Sequence, residues 1–482
     1  MNLRAVFGET PGVDTDLEIA GITADSRRVR PSFVFAALRG TAKHGRDFVE
    51  AAKAAGAVAV LSGGDLECPL GMVHIVRADP RLALALAAAR LYPRQPQTVI
   101  AVTGTNGKSS TVDFLRQIWM ASGRRAASLG TLGAIGPSGR LDLGHTTPDP
   151  VAIHETLQSL SDEGVSHAAM EASSHGLDQR RLDGVRLRAG AFTNFSQDHL
   201  DYHESMEAYR AAKLRLWDLL PAGAPAIINA DAEAAMVFEA AARQRGLEII
   251  TCGWRAEHLK IREIWPRPNG QRLELSWRGA RAQVDLPLIG EFQALNTVPA
   301  AASASALGEV PDAVGAGMAK LVPVLGRIEH VGSTPLGAHV FVDYAHTPDG
   351  LDVLLRAARP HAPGRIVLVF GCGGDRDRGK RAKMGAIAAR FADSVIVTDD
   401  NPRTEDPAGI RAAILADCPG AVEIADRGAA IETAIGQLQP GDALLIAGKG
   451  HETGQIIGDR VLPFSDQECA RAALQALGAA HA

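Results

Sequence analysis

The sequence predicts an α/β protein of three domains: an N-terminal α/β domain over 1–88, a central parallel sheet with helices and a small antiparallel sheet over 89–325, and a C-terminal α/β domain over 326–482. Three observations carry this. At 482 residues the chain is long enough for several cores. Short apolar runs alternate with helical patterns, as a parallel sheet covered by helices requires. Leu259 to Leu288 breaks that alternation and reads as short antiparallel strands around a Pro268-Asn269-Gly270 turn.

Composition narrows the class. The chain is 46% hydrophobic and 22% charged, as globular proteins are, and its net charge of −5 carries no overall nucleic-acid footprint. Cys68, Cys252, Cys372, Cys418 and Cys469 are scattered and form no CxxC, which predicts reduced cytoplasmic thiols rather than disulfides or a zinc site. The N-terminus has no apolar stretch of signal-peptide kind. No run is long and apolar enough to span a bilayer; Leu82 to Leu91 is short, contains Arg90, and reads as a packed helix. No nucleic-acid partner and no membrane insertion are expected.

In the first domain, Ile22 to Pro31 reads as a strand entering a polar loop, Phe33 to Leu38 and Val58 to Leu61 as strands, and Val49 to Ala55 as a helix. The loops carry Asp25, Ser26, Arg27, Lys43, His44 and Arg46. They could hold an anionic ligand, but taken alone they read as plain solvated loops.

The middle domain opens on Thr98-Val-Ile-Ala-Val-Thr-Gly-Thr-Asn-Gly-Lys-Ser-Ser-Thr-Val112. An apolar strand, a glycine turn and a helix start form the geometry that aims backbone N–H groups at a phosphate. Lys108 would reach the distal phosphates and Ser109 would hold Mg²⁺. The spacing falls short of GxxxxGK[ST], since only Thr105 and Asn106 separate Gly104 from Gly107. Two later strands end at Glu171-Ala-Ser-Ser-His175 and at Asn194-Phe-Ser-Gln-Asp-His199. Ligands of open α/β sheets sit beyond the carboxyl ends of strands, so Glu171, His175, Asn194, Asp198 and His199 are expected near the glycine loop. Asp201 and His203 read as caps of the next helix, Met206 to Leu220. Lys213 inside that helix reads, on residue type alone, as a solvated cation. The alanine-rich Val298 to Leu307 reads as a helix.

In the third domain, Val340 to Tyr344 is a strand, followed by the helix Gly350 to Ala358. Three further strands empty into loops on one edge: Gly371 to Arg381, Asp399 to Arg403, and Ala447 to Glu452. Arg376, Arg378, Asn401, Arg403 and Glu452 in those loops suit a charged, zwitterionic ligand.

Together these motifs resemble the Mur ligase family, ATP-dependent amide-forming enzymes of peptidoglycan precursor synthesis. Thr103 to Ser110 is similar to that family's short P-loop. The resemblance implies a UDP-binding first domain, a P-loop ATPase-like centre and a Rossmann-like third domain. It implies a monomer, and three substrates: UDP-MurNAc-L-Ala-D-Glu, ATP as cosubstrate with Mg²⁺, and meso-diaminopimelate. Ala24, Ser26, His44, Gly45 and Arg46 would hold the uridine nucleotide, and His145, Thr146, Thr147, Ser173, Gln179 and Arg181 the muramoyl dipeptide. Gly104, Thr105, Asn106, Gly107, Lys108, Ser109 and Ser110 would bind the ATP phosphates, with Asn296, Arg327 and Asp343 as further ATP contacts. Ser109, Glu171, His199 and Lys213 would hold metal. The resemblance makes Lys213 an N6-carboxylysine and so reverses its reading as a solvated cation; Lys108, Glu171, His199 and Lys213 become the catalytic set. Gln293 and Leu325 stand where the family often has Asn and Pro. Arg376, Asp400, Asn401, Pro402, Arg403, Gly448 and Glu452 would bind diaminopimelate. The Asp-Asn-Pro-Arg stretch marks members that add this amino acid rather than L-lysine: the planar Arg403 fork fits the additional carboxylate. An L-lysine-adding homologue and a folylpolyglutamate synthetase are the alternatives.

Overall fold

The computed structural model describes every residue except 11, 12, 14, 41, 42, 65, 197, 199 and 482. It divides into two compact units, Met1–Lys260 with Val298–Gly317, and Ile261–Thr297 with Met318–Ala482.

The first unit holds two sheets. Strands β1 (Gly21–Thr23), β2 (Phe33–Ala36), β3 (Ala57–Ser62) and β4 (Val73–Val76) lie parallel in that order. The short β4 escaped the sequence reading. Helix Pro80–Leu91 begins where a cap predicts, with Asp79 accepting from Leu82 N at 3.0 Å and proline in the first turn. Its Leu84, Ala87 and Ala88 join Ile22, Val34 and Leu61 in one core.

The second sheet is built from β5 (Thr98–Thr103), β6 (Ala126–Gly130), β7 (Gly133–Gly136), β8 (Gly139–Leu141), β9 (His167–Glu171), β10 (Ala189–Phe192), β11 (Pro225–Asn229) and β12 (Glu248–Gly253). The order is β12-β11-β10-β5-β9-β6-β7-β8. From β12 to β6 all neighbours are parallel; β7 and β8 turn antiparallel at the edge. Strand β5 is therefore flanked by β9 and β10, and all three point their carboxyl ends the same way. Val99, Ala101, Met170, Phe192 and Ile228 pack in the core below, where Phe192 stacks on Phe238 at 3.7 Å between ring centroids. Helix Met206–Asp218 is capped by Ser205, whose Oγ accepts from Ala208 N at 3.1 Å. Asp201 and His203, expected as its caps, instead fall in a separate turn, Leu200–His203.

Strand β13 (Leu259–Arg267) runs from the first unit into the second. There β14 (Gly270–Trp277) and β15 (Ala280–Leu286) pair antiparallel around a turn at Arg278 and Gly279, while the Pro268-Asn269-Gly270 turn lies between β13 and β14. Helix Glu291–Ala306 starts seven residues before the expected Val298 and passes through Pro299. Proline removes one helical N–H, yet the helix continues through it; Thr297 Oγ1 and Ser303 Oγ also donate back to the carbonyls of Gln293 and Pro299, at 2.8 and 2.7 Å.

The second unit's main sheet contains β16 (Glu329–Ser333), β17 (His339–Asp343), β18 (Ile366–Phe370), β19 (Ser394–Val397), β20 (Val422–Glu423) and β21 (Ala443–Ala447), in the order β16-β17-β21-β18-β19-β20. Only the edge strand β16 is antiparallel to its neighbour. One core lies on each face: Phe341, Leu368, Phe370 and Leu445 on one, Val340, Val342, Val369 and Ile446 on the other. This is why these strands read as unbroken apolar runs. Strands β22 (Gly454–Ile457) and β23 (Arg460–Pro463) form a separate hairpin.

Candidate active site

The glycine loop joins β5 to helix Lys108–Ala121 and is clamped by the loop after β10. Asn106 N donates to Asn194 Oδ1 at 2.8 Å, and Asn194 Nδ2 and Thr193 Oγ1 donate to Asn106 O at 3.0 and 2.7 Å. Thr105 N donates to Asn194 O, while its hydroxyl reaches Ser196 O at 3.1 Å and lies 3.2 Å from Tyr209 Oη. Gly104 lies against this clamp, and a Cβ there would meet Thr193 Oγ1 at 1.9 Å. Gly107 caps the helix at φ +81°, a conformation that glycine adopts without steric cost. The Lys108 ammonium folds back on the carbonyls of Gly104 and Thr105, both at 2.9 Å.

Lys213 is not a solvated cation. It is 1% exposed, and its Nζ donates to Gly104 O at 2.7 Å and sits 4.4 Å from the centre of the Tyr209 ring. Burial, reinforced by the nearby Lys108 charge, brings its pKa down to about 6, with Asp198 pulling the other way. At neutral pH it is a free amine beside the phosphate-binding loop. Burial also raises the Tyr209 hydroxyl, to about 12.

Glu171 ends β9, next to β5, and is 2% exposed. Its Oε1 accepts from Thr131 N at 2.8 Å and lies so close to Gly130 that a Cβ there would come within 2.0 Å of it. Thr131 Oγ1 is 2.9 Å from Thr146 Oγ1. Thr147 Oγ1 donates to Glu171 O at 2.9 Å and accepts from Ser173 N at 3.0 Å. Arg181 donates to Thr147 O at 2.6 Å and to Gln179 Oε1 at 2.8 Å. Thr146, Thr147, Ser173, Gln179 and Arg181, separate in sequence, thus form one hydrogen-bonded patch around Glu171. Burial lowers the Arg181 pKa. His145 is exposed beside the patch in sequence. His175 packs on Tyr202 at 4.1 Å between ring centroids. His199 lies outside the described residues. Among those described, no three His, Cys, Asp or Glu side chains converge as a metal cage.

In the N-terminal sheet, Ala24 and Ser26 follow β1 and His44 to Arg46 follow β2, so both loops lie at the same strand ends. Asp25 caps the turn at Ser26 and holds Arg27 with two hydrogen bonds of 2.9 and 2.8 Å; these lower its pKa. Gly45 N donates to Leu38 O at 2.8 Å, and a Cβ on Gly45 would meet Leu38 N at 2.6 Å. His44 Nδ1 accepts from Arg46 N at 3.1 Å.

In the second unit, Asp343 ends β17. Its carboxylate accepts from Ile328 N and Ala345 N, each at 2.7 Å; burial raises its pKa against these bonds. The Arg327 guanidinium stands 5.3 Å from the Tyr344 ring centre. Gln293 Nε2 donates to Arg327 O at 2.9 Å, while its buried Oε1 has no hydrogen-bond partner among the described residues. Asn296 is half-buried one turn further along the same helix.

The loops after β18, β19 and β21 meet at one edge of the main sheet. Asn401 Nδ2 donates to Glu452 Oε2 at 2.8 Å, and Asn401 Oδ1 accepts from Ile456 N at 2.9 Å. Lys449, which the sequence reading passed over, donates to Asn401 Oδ1 at 3.1 Å and Glu452 Oε2 at 2.9 Å. Burial pushes the Glu452 carboxyl up, but Lys449 and Asn401 outweigh it and hold the pKa below the ordinary value. Burial raises that of Asp400. Arg403 takes φ +52° and donates Nη1–H to Gly374 O at 2.8 Å. Gly448, at φ +119°, lies where a Cβ would strike Asp400 Oδ2 at 2.6 Å. Pro402 is buried, and a Cβ on Gly374 would meet its carbonyl oxygen at 2.0 Å. Arg376 projects to solvent from the loop after β18.

Comparison with known proteins matches these regions to family models described as "Mur ligase family, catalytic domain" over residues 18–90, "Mur ligase middle domain" over 102–304 and "Mur ligase, glutamate ligase domain" over 326–450. A UDP-N-acetylmuramoyl-L-alanyl-D-glutamate--2,6-diaminopimelate ligase of Mesorhizobium japonicum is 51% identical over 98% of this chain and 99% of its own. The chain belongs to the Mur ligase family. A protein of the same description from Caulobacter vibrioides is 53% identical over 94% of both chains. A solved structure of a ligase so described superposes with a TM-score of 0.77 at 33% identity, covering 99% of each chain. The chain therefore has the Mur ligase three-domain architecture, with parallel sheets and a small antiparallel one. The residues that sequence reading missed, Thr193, Ser196, Tyr209 and Lys449, have in common that they bond to site residues without a role that residue type or spacing assigns. Adjacency in the fold, not spacing, identifies them.

Proposed function

We propose that this chain is an ATP-dependent ligase that joins meso-2,6-diaminopimelate to the D-glutamyl residue of UDP-MurNAc-L-Ala-D-Glu, in cytoplasmic peptidoglycan precursor synthesis that supports cell shape and division. The observation that carries the reading is the cluster of Asp400, Asn401, Arg403, Gly448 and Glu452 at one sheet edge, a pocket of both charges suited to a zwitterion with an additional carboxylate. We further assign the domains to 1–88, 89–325 and 326–482, and the working form to a monomer.

The D-glutamyl γ-carboxylate attacks the γ-phosphorus of ATP; ADP leaves and an acyl phosphate forms. The amine of diaminopimelate then attacks the acyl carbon, inorganic phosphate leaves with the bonding pair, and the nitrogen loses a proton. The first step brings two anions together, so charge neutralisation is its main demand. Lys108, on the glycine loop, and Arg327 supply positive charge. The patch around Thr147, Ser173, Gln179 and Arg181 would hold the dipeptide with its carboxylate near Glu171, and Ala24, Ser26 and His44 to Arg46 the uridine diphosphate.

The residues fit a divalent cation. Mg²⁺ takes one or two carboxylates beside phosphate oxygens and waters, and needs no cage of protein ligands. Glu171, Ser109 and His199 would hold it, together with Lys213 as a carbamate. The fit rests on the buried, uncharged amine of Lys213: its nitrogen lone pair bonds to the carbon of CO₂, a proton departs, and an anion replaces a neutral group. When bound, the cation supplies charge against the triphosphate.

The test is amide formation from the UDP-dipeptide, ATP and either meso-diaminopimelate or L-lysine. Turnover with diaminopimelate, and at least tenfold less with L-lysine, is expected. Preference for L-lysine overturns the specificity, and absence of UDP binding by a chain that extends folates would make it a folylpolyglutamate synthetase.

A further inference from the structure

Lys449 is 0% exposed, so its ammonium faces no solvent, yet it bonds two residues of the proposed amino-acid site. Its Nζ bonds Asn401 Oδ1 and Glu452 Oε2, which are themselves joined through Asn401 Nδ2. These three bonds have one consistent arrangement. Turning the Asn401 amide over would set its NH₂ against the ammonium and against Ile456 N–H, and its carbonyl oxygen against a carboxylate. With Oε2 already accepting two hydrogen bonds, Glu452 has Oε1 uncommitted among the described residues, on a side chain that is 33% exposed. The same network reaches Arg403. Ile456, bonded through its N–H to Asn401, accepts from Arg403 N at 3.0 Å, and Arg403 O in turn accepts from Gly458 N at 2.7 Å. Those backbone bonds secure Arg403 at φ +52°, where a non-glycine residue needs outside support.

We propose that Lys449 is the positioning residue for amino-acid selection: it fixes Asn401 and Glu452 so that Glu452 Oε1 faces the incoming ammonium while Arg403 is held for the distal carboxylate. This rests on the reading of the pocket as the diaminopimelate site. Selectivity for the amino acid thus depends on a buried cation. Removing the ammonium would leave Glu452 Oε2 short of a donor and free the amide to turn, blurring both recognition points together.

The experiment is steady-state kinetics of the full chain with Lys449→Met and Lys449→Gln, each of the three substrates varied in turn, and folding checked by melting temperature. The KM for meso-diaminopimelate should rise tenfold or more in Lys449→Met and less in Lys449→Gln, which keeps a donor for Asn401. The KM values for ATP and the UDP-dipeptide should stay within twofold, and the preference over L-lysine should fall. If Lys449→Met does not fold, Lys449→Gln carries the test alone and with Glu452→Gln. In the Glu452→Gln background, Lys449→Gln should add less than twofold to the KM for diaminopimelate. An unchanged KM for diaminopimelate in Lys449→Gln, an equal rise for all three substrates, or full additivity with Glu452→Gln would each overturn the proposal. Wild-type turnover separates the two levels: no reaction with diaminopimelate removes the pocket reading itself, whereas normal wild-type turnover with an unaffected Lys449→Gln removes only the role of Lys449.

Discussion

Lys213 and Lys449 are both removed from water, at 1% and 0% exposure, but they are held by opposite arrangements. Lys213 meets a backbone carbonyl, a tyrosine ring and the field of a second lysine; burial therefore discharges it, with a pKa of about 6. Lys449 meets a carboxylate and an amide oxygen and forms an ion pair, at 2.9 Å from Glu452. A buried amine without an anion becomes a nucleophile, whereas one with an anion becomes a fixed strut. The first arrangement suits a residue that is to be modified, the second a residue that is to orient others.

The largest test of this contrast is Lys213→Ala. Activity should fall by about 10²–10³-fold or more, as when a preorganised charge is lost from a transition state, and a short added carboxylate should restore part of it. The fold should meanwhile become more stable, because at pH 7 the unfolded chain protonates this lysine and the folded chain does not. A gain on the order of 1 kcal/mol or more in urea unfolding is expected; full activity in the variant would end the carbamate reading.

Next in size is Arg403→Ala. Stranding a carboxylate that had a guanidinium partner costs about 2–5 kcal/mol, so the KM for diaminopimelate should rise roughly thirtyfold or more while that for L-lysine changes little. Equal effects on both amino acids would remove Arg403 from specificity.

His154 offers a third buried base with which to sharpen the comparison. Burial lowers its pKa to about 4, and its Nε2 lies 3.4 Å from Asp183 O. Between that value and the ordinary 6.5 the unfolded chain binds the extra proton. The stability due to neutral His154 is therefore present above pH 6.5 and lost as pH falls toward 4, by about 3 kcal/mol in total. His154→Gln should flatten the pH dependence of the melting temperature over that window.

The smallest effect expected is from Asn194→Ala, which removes the side-chain half of the clamp on Asn106. Nucleotide affinity should weaken by about 1–2 kcal/mol, read by calorimetry, with stability nearly unchanged. A large loss of stability instead would mean that the clamp serves the fold rather than the loop.

The fold was legible wherever a strand is buried on both faces. Val99 to Val102, His167 to Met170 and Ile366 to Phe370 read as apolar runs because helices cover both sides of the sheet. Short edge elements such as β4 and β20 have too few residues to show a period. Helix Glu291–Ala306 extends further toward the N-terminus than the alanine-rich run Val298 to Leu307 suggested, because Glu291 to Thr297 carries no such compositional signal. The resemblance supplied most site residues by motif. Residue type alone misread Lys213, since nothing local distinguishes a surface lysine of a helix from one aimed into a core.

By itself the sequence determined the layered α/β class, the glycine loop and the polar loops at strand ends, because these depend on periodicity and backbone freedom, which are local. The tertiary structure alone decided the charge states and partners: which lysine is discharged, which is paired, and which loop clamps Asn106. Those follow from burial and from groups far apart in the chain, and electrostatic energy depends on distance in space rather than along the sequence.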